Sequence, residues 1–238
     1  MTLVLTMAGL GSRFKSQGFQ GEKYQIRFLG HSLFEWSLVS LLAFRDHRLV
    51  VVTRDFPGVE DEVLGYALAL GFGESNVIVL DHETKGQAET ALLAKSKCEI
   101  DEPILIYNTD THVAPAALVP PDFGSFDGWI PCFSAPGDKW SFVELGEEDC
   151  ALRVTEKQRI SDHCSIGLYG FSSFKLFEEA YLGAKAQPKE IYVAPLYNHL
   201  IDRGLKVRIA DLSSNDVCIL GTPEDLENAQ AKPPRWPV

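Results

Sequence analysis

A glycine-containing loop near the N-terminus carries the clearest chemical signal in the chain. Residues 8–14 read AGLGSRF and directly follow a short apolar run. Gly9 and Gly11 let the backbone approach an anion closely, and exposed N–H groups in such a loop bind phosphate oxygens. Arg13 adds a guanidinium that can bind one phosphate through two hydrogen bonds. The loop indicates phosphate binding, with a tight β–α turn and a surface arginine as the competing interpretation.

Two further charged residues extend this chemistry. Lys23 follows the loop and offers a second positive charge. Asp110 lies just past the apolar run ILIYN, and a carboxylate there can hold Mg²⁺, although a turn-capping aspartate also fits the sequence NTDT. The loop is neither a dinucleotide fingerprint, because Phe14 stands where the third glycine belongs, nor a P-loop, because it lacks G-K-[ST].

Alternating elements in the first half of the chain must position these residues. The strand-like runs are residues 3–6, 49–53, 77–80 and 104–107. The helix-like segments between them are residues 33–44, 59–70 and 87–95, with a Ser32/Glu35 capping box at the start of the first. This alternation predicts βαβ units and a mostly parallel sheet, which binds ligands at the carboxyl ends of its strands.

The second half has short strand-like runs separated by turn-rich segments. The predicted strands are residues 128–133, 141–145, 151–155, 165–171 and 206–210. The predicted helices are residues 174–182, residues 194–203 and one that begins near Thr222. No repeat or linker interrupts the sequence. We therefore predict one α/β domain over residues 1–230, with a Rossmann-like, mixed but mostly parallel sheet flanked by helices, and a proline-rich, disordered tail over residues 231–238.

Composition restricts the ligand and the compartment. The chain has 238 residues and a formal net charge of −11, which disfavours nucleic acid and anionic membranes as partners but allows a small phosphorylated ligand in a locally basic cleft. The sequence contains no apolar run of about 20 residues, the length that a membrane span needs. The N-terminus lacks the basic start of a signal peptide, and the five cysteines are scattered. These features predict a soluble, cytoplasmic protein with reduced thiols.

The motifs together resemble those of the nucleotidyltransferases that activate sugar phosphates. The resemblance extends through most of the chain and is carried by the G-x-G-[ST]-R spacing of residues 8–14, Lys23-Tyr24, Gly86-Gln87-Ala88, Asn108-Thr109-Asp110, Glu156-Lys157 and Gly221-Thr222-Pro223-Glu224. It implies a fold of the glycosyltransferase-A type. Short proteins of the branch that the chain resembles belong to capsule or cell-surface polysaccharide pathways.

The resemblance also implies a reaction. A nucleoside triphosphate and a phosphorylated small molecule, such as a sugar phosphate, are joined with release of pyrophosphate and with Mg²⁺ as cofactor. The implied residues are Arg13, Lys23 and Asp110 for catalysis, Ala8, Gly9, Gly11, Ser12 and Gln87 for the nucleotide, and Glu156 and Lys157 for the acceptor phosphate. Residues 138–141 are a further candidate lining of the acceptor site. The amide of Gln87 can both donate and accept, which favours a pyrimidine base.

One departure from the family pattern concerns the metal. Longer relatives carry a second metal-binding aspartate immediately before the segment that corresponds to Gly221-Thr222, whereas this chain has Cys218-Ile219-Leu220 there. Asp216 is the nearest substitute, so Asp110 is expected to bind the metal alone or together with Asp216. Two alternatives stay open: a glycosyltransferase of related fold, and a nucleotide-binding regulator without turnover. The sequence also leaves open whether the protein forms a homo-oligomer.

Overall fold

The computed structural model describes residues 1–19, 21–184 and 190–235. Among them, the strands are β1 (Thr2–Met7), β2 (Arg27–Phe28), β3 (His31–Ser32), β4 (Arg48–Arg54), β5 (Ser75–Leu80), β6 (Ile104–Asn108), β7 (Thr111–Val113), β8 (Gly128–Phe133), β9 (Ser141–Leu145), β10 (Ala151–Glu156), β11 (Cys164–Ser165), β12 (Leu168–Phe171), β13 (Val207–Asp211) and β14 (Val217–Ile219). The α-helices of the same residues are α1 (Ser12–Ser16), α2 (Leu33–Ser40), α3 (Val59–Ala69), α4 (Gln87–Leu92), α5 (Phe174–Gly183), α6 (Tyr197–Asp202) and α7 (Pro223–Ala231).

One mixed sheet joins the two halves of the chain. Within the described residues it contains ten strands, in the order β10-β9-β11-β8-β12-β6-β1-β4-β5, with β13 paired to β8. Strands β6, β1, β4 and β5 pair in parallel, as does β13 with β8, whereas β12 pairs antiparallel with both β6 and β8. The predicted fold class, a single α/β domain with a mixed and mostly parallel sheet, is confirmed.

Strands β1, β4 and β6 of the parallel half are buried on both faces, because they are almost continuously apolar. Val50 and Val52 pack with Ala88, Phe174 and other residues of α4, α5 and α6 on one face. Val51 packs on the opposite face with residues of α2 and α3, among them Phe34 and Val63. Helices on both faces are what a parallel sheet requires, since its crossover connections run over each face. Since helices cover both faces of the sheet, a binding site can form at the ends of the strands and in the loops that follow them.

Several predicted elements differ at their ends. The predicted helix 33–44 ends as an α-helix at Ser40 and continues as the 3₁₀ segment Leu42–Phe44. The Ser40 hydroxyl bonds to the Trp36 carbonyl oxygen and accepts a hydrogen bond from the backbone N–H of Val113, which ties the helix end to β7. The predicted helix 87–95 likewise becomes a 3₁₀ segment, Leu93–Lys97. The predicted strand 165–171 is divided into β11 and β12.

The capping box predicted at the start of α2 is confirmed. The Ser32 hydroxyl oxygen accepts a hydrogen bond from the backbone N–H of Glu35 at 3.1 Å, and the Glu35 carboxylate accepts one from the backbone N–H of Ser32 at 2.7 Å. The two bonds satisfy donors that the first helical turn leaves without an intrahelical partner. The helix therefore begins at the residue that the sequence indicates.

A two-stranded sheet formed by β7 and β14 was not predicted. Each strand has three residues, too few for a recognisable alternation of apolar and polar side chains. The pairing aligns Ile219 with Thr111, and the backbone N–H of Leu220 donates to the carbonyl oxygen of Asp110 at 2.8 Å. This small sheet brings the segment after β14 next to Asp110.

The last helix reaches the first residue of the predicted tail, which covers residues 231–238. Helix α7 extends to Ala231, and the Thr222 hydroxyl accepts a hydrogen bond from the backbone N–H of Asp225 in its first turn. Residues 236–238, the last part of the predicted tail, lie outside the described residues. In the described part of the chain, no helix has the length and apolar composition that a bilayer span requires.

Candidate active site

A cleft of about 860 Å³ collects most of the residues that the sequence singled out. The predicted residues that line it are Ala8, Gly9, Ser12, Arg13, Lys23, Gln87, Asp110, Glu156 and Lys157. Most of them follow the carboxyl end of β1 or β6, lie at the start of α4, or lie at the end of β10. Lys23 begins a 3₁₀ segment, Lys23–Gln25. Motifs separated by more than a hundred residues in sequence therefore meet at one site. Of the residues predicted for catalysis or for binding the nucleotide, the acceptor phosphate or the metal, Gly11 and Asp216 lie outside this lining.

Gly11 contributes through packing and backbone conformation. Its φ angle is +63°, in the left-handed region that favours glycine. A Cβ atom at this position would lie 3.0 Å from the Cβ of Lys23. Gly11 therefore allows the loop to pack closely against Lys23, which itself faces the cleft.

Lys23 and Asp110 form an ion pair inside the cleft. The Nζ of Lys23 lies 2.6 Å from the Oδ2 of Asp110, and their side chains are 22% and 28% exposed. Asp110 sits in the turn between β6 and β7, where the Tyr107 hydroxyl also bonds to the Thr111 carbonyl oxygen at 2.8 Å. A polyanionic ligand competes for the ammonium group of Lys23, and a cation competes for the carboxylate of Asp110. Binding both together would satisfy each charge that the broken pair leaves behind.

Arg13 is exposed at the start of α1. Within the described residues, no hydrogen bond or ion pair engages its guanidinium. The charge is therefore available to a ligand without first breaking a contact. Two other cationic side chains are paired: Arg54 lies 3.0 Å from Glu22, and Lys15 lies 3.2 Å from the same carboxylate.

The loop before α4 is held by close backbone contacts. Gly86 has a φ angle of +124°, and a Cβ atom there would lie 2.8 Å from the carbonyl oxygen of Ile191. Only glycine fits this combination of conformation and space. Gln87 follows at the start of α4, and its Nε2 is buried without a hydrogen-bond partner among the described residues. An unpaired buried donor beside a cleft is a group that a bound ligand can satisfy.

A hydrogen-bonded network surrounds Lys157. Its Nζ donates to the Tyr192 hydroxyl oxygen at 2.7 Å and lies 4.5 Å from the centre of the Tyr192 ring. The Tyr192 hydroxyl in turn donates to Glu190. The hydrogen bond to Tyr192 raises the pKa of Lys157, so its ammonium remains charged. The backbone of Lys157 adopts a left-handed φ angle of 55°, an uncommon conformation for a residue other than glycine.

Glu156 is the last residue of β10 and is held by a hydrogen bond from β9. Its carboxylate accepts a hydrogen bond from the Ser141 hydroxyl, which also contacts the Tyr169 hydroxyl at 3.2 Å. Burial raises the pKa of Glu156, and the Ser141 hydrogen bond and the nearby charge of Lys157 offset part of that rise. The carboxylate is thus a fixed hydrogen-bond acceptor in the cleft wall.

The second candidate metal ligand lies elsewhere. The carbonyl oxygen of Asp216 bonds to the backbone N–H of Ala114, at the end of the β7–β14 pair remote from Asp110. Leu220, which bonds to Asp110, is four residues further along the chain, or about 13 Å of extended strand. Asp216 lines a separate cavity of about 590 Å³. The structure does not bring Asp216 to Asp110.

Among the cleft-lining residues that were not predicted are Glu190, Tyr192 and Asp225. Asp225 lies in the first turn of α7 and pairs with Lys139 at 2.7 Å. The motif Gly221-Thr222-Pro223-Glu224 ended one residue before it, so its place after a capping threonine was the available signal. Glu190 and Tyr192 lie in an irregular segment with no periodicity or motif, and no sequence signal marked them. Of the candidate segment 138–141, Lys139, Trp140 and Ser141 line the cleft and Asp138 does not.

The side chains present suit a metal shared with a ligand better than a protein-only metal centre. Across residues 1–19, 21–184 and 190–235, no group of three or more His, Cys, Asp or Glu side chains is arranged to hold a metal ion. Mg²⁺ commonly takes one or two carboxylates and completes its shell with water and phosphate oxygens. Asp110 meets that requirement.

Comparison with solved structures identifies relatives over the whole chain. A nucleoside-diphosphate-sugar pyrophosphorylase from Vibrio cholerae RC9 is 32% identical, with a TM-score of 0.89, and the match covers 97% of this chain and 100% of that one. An inositol-1-phosphate CTP transferase from T. maritima is 18% identical, with a TM-score of 0.76 and coverage of 99% and 98%. A protein from Bacillus anthracis described as a glucose-1-phosphate thymidylyltransferase, solved with sucrose, is 15% identical, with a TM-score of 0.78 and coverage of 100% and 98%.

The comparisons differ in what they establish. No protein-family model matches the chain, and no curated protein matches it. The two structures below 25% identity show the shared fold alone. The match to the Vibrio structure combines 32% identity with coverage of 97% of this chain and 100% of that one, and most of the predicted site residues of this chain meet in one cleft. The chain therefore belongs to the sugar-phosphate nucleotidyltransferase family.

Proposed function

We propose that the protein transfers a nucleoside monophosphate from a nucleoside triphosphate to a sugar phosphate and releases pyrophosphate, with Mg²⁺ as cofactor. The observation that carries the proposal is the convergence of two groups of cationic side chains on one cleft. Arg13 and Lys23 line it beside the glycine loop, and Lys157 lines it beside Glu156 and Tyr192. Two polyanions that must react with each other need such paired sites.

The reaction makes modest demands on the protein. A phosphate oxygen of the acceptor attacks the α-phosphorus of the triphosphate, and a new P–O bond forms. The bond between the α-phosphorus and the oxygen that bridges it to the β-phosphorus breaks, and this oxygen leaves with pyrophosphate. The attacking oxygen is already ionised at neutral pH, so no general base is required. Catalysis then depends on alignment and on neutralising charge. In this proposal Lys157 aligns the acceptor, while Arg13 and Lys23 bind the triphosphate and neutralise charge on the departing pyrophosphate.

Asp110 is the residue that would hold the metal ion. Its carboxylate lies in the cleft, and a Cβ atom at position 221 would stand 3.1 Å from its Oδ2, so Gly221 leaves space beside the oxygen. When bound, Mg²⁺ would supply positive charge to the triphosphate oxygens. Without the metal ion, Lys23 neutralises the charge of Asp110, because their charged atoms are 2.6 Å apart.

A pyrimidine nucleotide, CTP, UTP or dTTP, is the proposed donor. The support is the buried Nε2 of Gln87, which lacks a partner among the described residues, together with the position of Gln87 in the family motif. An N–H donor needs an acceptor on the base edge, and pyrimidines present carbonyl oxygens there. Faster turnover with ATP or GTP would contradict this choice.

A sugar phosphate is favoured over phosphocholine as the acceptor. The cleft wall offers hydrogen-bonding groups for hydroxyls, among them Asn108, Ser141 and Glu156. A quaternary ammonium would instead need open aromatic faces. The rings of Trp140 and Tyr192 already carry ammonium groups, from Lys139 at 5.0 Å and Lys157 at 4.5 Å. We also propose a cytoplasmic location and a role in surface polysaccharide precursors, both of which rest on composition and the family resemblance.

A pyrophosphate-release screen tests the proposal. Each of CTP, UTP, dTTP, ATP and GTP is incubated with Mg²⁺ and a panel that contains hexose 1-phosphates, heptose phosphates, polyol phosphates and phosphocholine. We expect pyrophosphate only when a triphosphate and a sugar phosphate are both present. Tight nucleotide binding without pyrophosphate from any pair would contradict the proposal and favour a regulator. Release of a nucleoside diphosphate from a nucleotide sugar would favour a glycosyltransferase.

A further inference from the structure

The acceptor lysine is held by a residue outside the family motifs. Lys157 donates a 2.7 Å hydrogen bond to the Tyr192 hydroxyl oxygen, and its ammonium lies over the Tyr192 ring. Its other charged neighbour, the Glu156 carboxylate, is further away at 3.7 Å. Lys157 is half exposed, and a lysine side chain in water samples many rotamers. The hydrogen bond to Tyr192 selects one of them.

The orientation of the Tyr192 hydroxyl is itself defined. Its proton is donated to the Glu190 carboxylate, which leaves the oxygen lone pairs for the ammonium of Lys157. A hydrogen-bonded chain of ammonium, hydroxyl and carboxylate results. Glu190, Tyr192 and Lys157 all line the cleft.

The segment that carries Tyr192 is also bonded to the nucleotide loop. The backbone N–H of Ile191 donates to the carbonyl oxygen of Lys85 at 2.7 Å, and its carbonyl oxygen accepts from the backbone N–H of Ala88 at 3.1 Å. These two bonds bracket Gly86 and Gln87. Ile191 is buried in the core, so the connection is rigid. Ile191, which is bonded to the nucleotide loop, thus directly precedes the tyrosine that holds the acceptor lysine.

We propose that Tyr192 is a positioning residue that sets Lys157 for the acceptor phosphate and links its position to the nucleotide loop. The inference rests on the proposed function, since it assigns Lys157 to the acceptor. Tyr192 acts through Lys157 and through the backbone of Ile191. A nucleotide that orders residues 85–88 would therefore also fix Tyr192, and the acceptor would bind more tightly to the nucleotide complex than to the free enzyme.

The test compares Tyr192→Phe with wild type and with Tyr66→Phe. Tyr192→Phe keeps the ring but removes the hydroxyl, whereas Tyr66 lies in α3, outside the cleft lining. The acceptor is the panel member with the highest turnover, with glucose 1-phosphate as the first probe. In Tyr192→Phe the KM for the acceptor should rise about tenfold, the scale of a lost hydrogen bond to a charged group, while the KM for the nucleotide changes little. Tyr66→Phe should match wild type.

A double mutant separates positioning from a direct contact. If Tyr192 acts through Lys157, Lys157→Ala/Tyr192→Phe should have the same acceptor KM as Lys157→Ala alone. Additive losses, or an unchanged acceptor KM in Tyr192→Phe, would overturn the inference while leaving the proposed function intact.

A binding measurement tests the link to the nucleotide. A non-hydrolysable analogue of the preferred triphosphate should lower the acceptor Kd several-fold in wild type and much less in Tyr192→Phe. An equal effect in both proteins would overturn the link. Failure of wild type to release pyrophosphate with any substrate pair would instead remove the proposed function, and the inference with it.

Discussion

The two ends of the cleft are built in different ways. The end that we propose for the nucleotide, here the nucleotide end, comes mainly from short, contiguous pieces of chain: the loop over residues 8–14 with Lys23, and the Gly86–Gln87 turn. The acceptor end is assembled from dispersed pieces: Ser141, Glu156 with Lys157, Tyr169, and Glu190 with Tyr192. Contiguous motifs are visible in a sequence, whereas a network of distant residues appears only after the chain has folded.

The ends also differ in how their charges are held. At the nucleotide end, Lys23 is paired with Asp110, a contact that a bound metal–nucleotide complex would replace. At the acceptor end, Lys157 and Glu156 already have hydrogen-bond partners, Tyr192 and Ser141, that leave them facing the cleft. Lys23 and Asp110 must therefore exchange partners on binding, whereas the hydrogen bonds that hold Lys157 and Glu156 are already formed. Substitutions at the two ends should consequently affect different kinetic constants.

The largest effect is expected for Asp110→Asn. The substitution removes the carboxylate that we propose as the Mg²⁺ ligand and leaves the ammonium of Lys23 without its 2.6 Å partner. Loss of metal-mediated charge stabilisation should lower kcat by about a hundredfold or more. Steady-state pyrophosphate release, measured over a range of Mg²⁺ concentrations, checks this.

Asp216→Asn is the matched control for Asp110→Asn. Asp216 lines a different cavity and bonds through its backbone to Ala114, so its substitution should leave most of the activity. If Asp216→Asn were as inactive as Asp110→Asn, the site would use two carboxylates and our placement of the metal would be wrong. Free Mg²⁺ should also bind weakly in calorimetry without nucleotide, because one carboxylate paired with a lysine offers little net charge.

Arg13→Ala should have the next largest effect. The guanidinium makes no ion pair within the described residues, so its removal should not destabilise the fold. Loss of one charged contact to the triphosphate should lower turnover at least about tenfold. Near-normal steady-state constants, in a variant whose Tm equals that of wild type, would exclude Arg13 from the nucleotide site.

Lys157→Ala sharpens the contrast between the two ends. The ammonium at the acceptor end should contribute mainly to the binding of the acceptor phosphate. We expect the acceptor KM to rise about tenfold or more and the nucleotide KM to change much less. A larger change in the nucleotide KM would place Lys157 at the nucleotide end and reverse the assignment.

The smallest effect concerns the stability of the acceptor end. Burial raises the pKa of Glu156 above its ordinary value of 4.5, so the folded protein binds this proton more tightly than the unfolded chain does. The group therefore favours folding below pH 4.5, and this contribution is lost as the pH rises through the folded pKa. At neutral pH the buried charge opposes folding.

Glu156→Gln tests that sign. The amide carries no charge and keeps an oxygen that can accept from Ser141. The variant should have a higher Tm than wild type at about pH 7, and the gain should shrink at about pH 4, where wild-type Glu156 is protonated. A Tm difference that is the same at both pH values would show that the carboxylate is not under a burial penalty.

Much of the fold could be predicted because strong local patterns agree with the tertiary structure. The apolar runs of β1, β4 and β6 predicted strands, and the Ser32/Glu35 pair predicted the start of α2. Helix ends were less predictable. The end of α2 depends on the contact between Ser40 and Val113, which are 73 residues apart. Such tertiary contacts override local propensity.

The site could be predicted where function depends on a contiguous motif. Gln87, Asp110 and most of the loop over residues 8–14 line the cleft. The exceptions in the loop are Gly11, which packs against Lys23, and Phe14, which is buried in a core cluster. Asp216 was chosen by its distance in sequence, and the pairing of β14 with β7 carries it away from Asp110. Tyr192 could not be identified because its partner, Lys157, is 35 residues away and no pattern connects them.

Positional labelling of the triphosphate tests nucleotidyl transfer most directly. The enzyme is incubated with Mg²⁺, the preferred sugar phosphate and a triphosphate labelled with ³²P at either the α- or the γ-phosphate. If the acceptor phosphate attacks the α-phosphorus, the α-label enters the nucleotide sugar and the γ-label leaves in pyrophosphate. Transfer of the γ-label to the acceptor, or release of the γ-label as inorganic phosphate, would contradict nucleotidyl transfer at this cleft.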